Sequence, residues 1–139
     1  MNIKFFSAGA KINLQEKTRL KLFINELFDK EGFKLASLSY IFCSDKYLLK
    51  LNQEFLKHDF YTDILTFDLS SKEIEKTGEI YISVDRVKEN AKNLNCAVRS
   101  EIHRVIFHGA LHLCGYKDKS KIEVARIRAA EDKYLKLYL

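Results

Sequence analysis

The sequence predicts an α+β fold: one domain over residues 1–139, with a small mixed β-sheet covered by helices. Three observations carry this expectation. Short runs of β-forming residues alternate with longer stretches of helical periodicity, everything after Val84 reads as helix, and no proline, repeat, linker or low-complexity tract divides the chain. Residues Asn2 to Phe6 form the first strand-like run. Gln15 to Asp29 carries Leu20, Leu22, Phe23, Leu27 and Phe28 at the spacing of an amphipathic helix, which Gly32 ends. Lys34 to Cys43, rich in Leu, Tyr, Ile and Phe, reads as a strand, and Ser44 caps a helix through about Leu56. Thr62 to Leu69 and Glu79 to Val84 are two further β-rich runs, read as an antiparallel pair joined by the polar stretch Ser70 to Gly78. Helices follow at Asp85–Leu94, Glu101–Cys114 and Lys121–Leu137, with Ser100 and Ser120 as caps for the last two. Periodicity gives no strand order.

Composition excludes several classes. A chain of 139 residues with 47% hydrophobic and 31% charged residues can bury about two-thirds of its unfolded surface, so disorder is not expected. Its apolar runs are too short for a membrane span, and charged residues interrupt Met1 to Lys21 where a signal peptide would be apolar. A cytoplasmic location is the expectation. Cys43, Cys96 and Cys114 are odd in number and lack CxxC spacing, which reads as free thiols. Lys plus Arg exceed Asp plus Glu by 24 to 19, a net charge of +5 that suits a phosphate-rich partner and equally a solvated surface.

The segment with chemical content runs from His108 to Asp118. On a helix, His108 and His112 stand one turn and about 40° apart, so two imidazoles can share one metal ion. The stripe of Ile102, Val105, Ile106, Ala110 and Leu113 lies to one side, so the histidines border the core. Gly115 falls where a helix ends in a left-handed residue, and the turn it makes brings Asp118 back as an oxygen ligand. A bare HxxxH arises on many helices by chance; the glycine turn and the carboxylate after it separate this one. Three protein ligands and a place for water describe a catalytic zinc. Cys114, two positions beyond His112, points to another side of the helix. Gly109 stands where HExxH metalloproteases carry their glutamate base, so a peptidase mechanism lacks its base. Arg104 and Glu101 lie one and two turns before His108 on the same face; Arg104 is read as a contact for an anionic substrate, and the alternative for both is a solvated i, i+3 pair.

This segment resembles the signature of the YbeY family of bacterial endoribonucleases, H-G-x-L-H-L-x-G-Y-D-H, at His108, Gly109, Leu111, His112, Leu113, Gly115 and Tyr116. Leu51-Asn52, Thr62-Asp63-Ile64-Leu65-Thr66-Phe67 and Gly78-Glu79-Ile80 agree in order and spacing over nearly the whole chain. The resemblance implies a metal-dependent, single-strand-directed endoribonuclease that matures ribosomal RNA, notably the 3′ end of the small-subunit RNA, and supports ribosome quality control. It implies dependence on one Zn2+ and partners that are single-stranded RNA, ribosomal RNA and the ribosome, with no membrane. Two departures stand out. Asp118 replaces the family's third histidine, with Lys117 before it, which shifts preference toward harder ions. Leu56 occupies the place of a family arginine, whose charge Lys57 or Arg104 is read as supplying. Thr62 and Asp63 are read as turn residues, and His58 as a solvated loop histidine. Two other classes stay open: a metallohydrolase with a non-RNA substrate, and a ribosome-associated binding factor whose metal is structural.

Overall fold

The computed structural model describes residues 2–56 and 62–139. The order of elements is β1 (Ile3–Ala8), α1 (Lys17–Lys30), β2 (Lys34–Cys43), α2 (Asp45–Phe55), β3 (Ile64–Asp68), β4 (Glu75–Ser83), α3 (Val84–Asn93), α4 (Val98–Leu113) and α5 (Lys121–Tyr138). These four strands form one mixed sheet in the order β1-β2-β4-β3. β1 and β4 flank β2 in parallel, and β3 closes the edge antiparallel to β4. The expected α+β class and the antiparallel β3–β4 pair are what the structure has.

Alternation sorts the strand residues onto two faces. Leu38, Tyr40, Phe42, Ile80 and Ile82 enter the main core with Leu20, Ile24, Leu27 and Phe28 of α1 and with the apolar sides of α4 and α5. Cys43, Leu48 and Leu65 make a smaller cluster under α2, joined by Leu51, Phe67 and Tyr81. α4 is the central helix, buried along most of its length from Glu101 to Leu113. Close approach explains why. A Cβ on Gly109 would stand 2.9 Å from Ile80 and 3.0 Å from Ile64, and one on Gly78 would stand 2.9 Å from Leu113. The two glycines therefore leave room for facing side chains, Ile80 and Ile64 over Gly109 of the helix and Leu113 over Gly78 of the sheet, so that α4 packs closely on the strands.

Boundaries differ from the periodicity in two places. β4 begins at Glu75, inside the polar stretch expected to be a connection, because residues 75–77 supply the partner that the first half of β2 needs. Its polar residues fit there through local pairings: the Lys76 ammonium lies 5.1 Å from the Phe33 ring and 3.6 Å from Asp68. α4 begins at Val98 from an extended Ala97 with no side-chain cap, so Ser100 is a first-turn residue and not the cap it was expected to be. Ser44 caps α2, Ser83 caps α3, and Ser120 with Glu123 makes a full capping box on α5. All three cysteines are free, and among the described residues no helix is long and apolar enough to cross a membrane.

Candidate metal centre

Helical spacing places His108 and His112 side by side, with their Nε2 atoms 2.9 Å apart and 20% and 25% of their side chains exposed. α4 ends just beyond them in a Schellman turn. The Gly115 N–H donates to the carbonyl of His112 and the Tyr116 N–H to that of Leu111, with Gly115 at φ +98°. This reversal returns Asp118, whose Oδ2 lies 3.6 Å from His108 Nε2 and 3.3 Å from His112 Nε2. One ligand atom from each of the three residues falls within 4.8 Å of the others.

What lies behind the imidazoles decides what they can do. His112 Nδ1 is 2.9 Å from the Tyr116 carbonyl and His108 Nδ1 is 2.5 Å from Glu131 Oε2. Both partners only accept, so each Nδ1 carries a proton and donates it. With Nδ1 engaged on each ring, the two Nε2 atoms are the ones that face a common point, with the Asp118 carboxylate beside them. A proton shared at Nε2 can hold this cluster together in metal-free protein, and a metal ion can take that proton's place because each of the three residues offers one ligand atom there. Two imidazole nitrogens, one carboxylate oxygen and outer hydrogen bonds that fix both rings make a donor set that could hold a metal ion. The residues present therefore fit the group that the motif implies.

The centre opens into a cleft of about 910 Å³ between the edge strand β3 and α5, floored by α4. Thr62, Asp63, Leu56, Arg104 and Lys117 line it. Burial raises the Asp63 carboxyl above its usual range, against the lowering effect of His108. Burial and the charge of Asp63 likewise raise Glu101. Burial works to lower His108, but the hydrogen bond and charge of Glu131, with the charges of Asp118 and Asp63, leave it raised overall. Glu131 shows the converse: burial works to raise it, and hydrogen bonds from His108 and Arg104 hold it below the usual glutamate range.

The residues singled out from the sequence fare differently. His108, His112 and Asp118 come together. Arg104 reaches the same cleft, but its guanidinium donates to Glu131 at 2.9 Å and to Asp132 at 2.7 Å. Glu101 is buried, so the solvated pair with Arg104 is not formed. Cys114 faces away from the ligands as a half-buried thiol, pushed up to about 12 by burial and the Glu31 charge. Lys57 and His58 lie outside the described residues. Sequence reasoning missed Glu131, although a signal was there. Ile127, Ala130, Tyr134, Leu135 and Tyr138 mark the buried stripe of α5, and Glu131 falls within it, a carboxylate where the pattern calls for an apolar residue.

Residues 3–138 match the family model described as Endoribonuclease YbeY. The chain belongs to this family. It is 46% identical over 135 residues to the endoribonuclease YbeY of Cytophaga hutchinsonii, covering 97% of this chain and 94% of that protein. The endoribonuclease YbeY of Flavobacterium psychrophilum is 40% identical over 133 residues, covering 96% and 94%. Among solved structures, TM1509 from Thermotoga maritima superposes with a TM-score of 0.64 at 29% identity, covering 96% of this chain and 88% of that one. The YbeY relatives are named as endoribonucleases, hydrolases acting on RNA.

Proposed function

We propose that this protein is a cytoplasmic, metal-dependent endoribonuclease that cuts single-stranded RNA, with ribosomal RNA at the 3′ end of the small-subunit molecule as its substrate and the ribosome as its setting. Zinc is the proposed metal, held one per chain by His108, His112 and Asp118. The observation that carries the reading is the convergence of two Nε2 lone pairs and a carboxylate oxygen, each imidazole steadied from behind by its own acceptor. When bound, the ion would acidify a water molecule and polarise a phosphoryl oxygen. The protein's part is to bind and orient. Glu131 and the Tyr116 carbonyl hold the two rings. The exposed cations Arg128, Lys117 and Lys119 line the cleft and offset backbone phosphate charge. Lys57 is proposed to supply the charge that Leu56 lacks. Asp63 and Glu101 also line the cleft, their carboxyls raised above the usual range by burial. Family membership supports RNA as substrate, and the net charge of +5 agrees with it.

The test is cleavage of end-labelled single-stranded and duplex RNA by zinc-loaded protein, with and without a chelator, over a range of salt. Cutting of the single strand that stops on chelation, with binding that weakens steeply as salt rises, is the expected result. Chelator-resistant cutting, or hydrolysis of peptides or esters in place of RNA, would overturn it.

A further inference from the structure

We propose that Arg104 and Glu131 form a positioning relay for His108, so that Arg104 serves the metal through Glu131 and is not a direct contact for an RNA phosphate; the inference rests on the reading of the site as a metal centre. The two oxygens of Glu131 divide the work: Oε1 accepts from Arg104 Nη1 at 2.9 Å and Oε2 accepts from His108 Nδ1 at 2.5 Å. Glu131 is 3% exposed and sits within the apolar stripe of α5. A carboxylate so placed stays charged only when it is paired and hydrogen-bonded. Arg104 supplies that pairing with one arm of its guanidinium, and its other arm is fixed by Asp132 at 2.7 Å. The approach of Arg128 to the same Oε1, at 3.6 Å, adds to the charge balance from the rim.

The consequence for His108 is geometric. A buried, ionised acceptor behind Nδ1 selects the tautomer with its proton on that atom and leaves the Nε2 lone pair aimed at the metal position. His112 has only the neutral Tyr116 carbonyl in the same role, so His108 is the more firmly oriented of the two ligands. Arg104 and His108 are four residues apart on α4 while Glu131 comes from α5, so the docking of the two helices and the aim of the imidazole are one arrangement.

The experiment compares the full-length parent with Glu131→Gln, Arg104→Gln, Arg104→Lys and the Glu131→Gln/Arg104→Gln double variant. Zinc affinity is read by competition with a chromophoric chelator, ligand geometry by the visible spectrum of bound Co2+, the His108 tautomer by ring 15N shifts in metal-free protein, and folding by thermal midpoint. Glu131→Gln is expected to weaken zinc binding by roughly 10–100-fold, the usual effect of losing an outer partner of a metal-bound histidine, and to move the His108 shifts toward a mixture of tautomers. Arg104→Gln should weaken zinc binding by a smaller factor, Arg104→Lys should restore part of it, and the double variant should bind no worse than Glu131→Gln alone. Parental zinc affinity in Arg104→Gln, with lower RNA affinity and a shallower salt dependence, would make Arg104 a phosphate contact and overturn the relay. Lower thermal midpoints with unchanged zinc affinity and Co2+ spectrum would reduce the pair to a structural bridge and overturn it as well. If Glu131→Gln fails to fold, the two single Arg104 variants decide by the same readings. A parent that binds no zinc would instead defeat the metal reading itself.

Discussion

His103 and His108 are five residues apart on one helix, and they have become different chemical objects. The two side chains point about 140° apart around α4. His103 faces Phe107 and Tyr138, its Nδ1 donates to the Arg99 carbonyl at 2.6 Å, and its buried Nε2 has no hydrogen-bond partner among the described residues. Burial, with the charges of Arg99 and Arg19, holds it below the usual histidine range. His108 faces a carboxylate from another helix and a second imidazole, and it is raised. A histidine becomes a ligand through what stands behind and beside its ring. An aromatic wall makes it a polar-tipped core residue, whereas an acceptor at Nδ1 and further donors around Nε2 give it the surroundings of the proposed metal site.

The largest expected effect comes from removing an imidazole of the proposed metal centre. His108→Ala and His112→Ala should each lose the zinc equivalent, by more than the roughly 100-fold that an outer partner is worth, while His103→Leu keeps it in full. Elemental analysis of the purified variants reads this directly, and a full equivalent in either alanine variant would take that residue out of the site. Next in size is Asp118. Replacement by alanine should weaken zinc by roughly 10–100-fold or more, and Asp118→His should hold or tighten it because imidazole suits zinc. Competition titration measures both, and parental affinity in Asp118→Ala would place the third ligand elsewhere.

A third prediction concerns the side of α4 that lies on the sheet. Gly109→Ala pushes a methyl into Ile80 and Ile64, an overpacking that should cost about 1–3 kcal/mol in urea unfolding and move His108 away from β3. A Gly109→Ala variant as stable as the parent would show that the helix can lift without penalty.

The smallest expected effect is the pH dependence of stability in metal-free protein. His103 is depressed in the fold relative to about 6.5 in the unfolded chain, so its share of stability is complete above about pH 6.5 and is lost as pH falls toward its folded value. His108 is raised, so its share is complete below about pH 6.5 and is lost as pH rises through its folded value. Unfolding free energies across this range should therefore tilt in opposite senses when His103→Gln and His108→Gln are each compared with the parent. Parallel curves would mean that the two environments do not differ in charge preference.

Much of the fold is legible in short-range spacing along the chain. Apolar periodicity located each of the nine elements among the described residues, and the capping serines before α2 and α5 fixed two helix starts to within a residue. His108, His112 and Gly115 gave the core of the site because helical rise and a left-handed turn are local properties, set by residues within a few positions of one another. Tertiary structure decided the rest. The strand order, the early start of β4 opposite β2 and the position of Arg104 all depend on partners far along the chain. Glu131 shows the division most plainly: its place on the buried stripe of α5 was legible, but its bond to His108 was not, because the two meet only when α5 packs across α4. Local geometry is written in short-range spacing, whereas the pairing of a buried charge is chosen by whichever distant group the packed core sets against it.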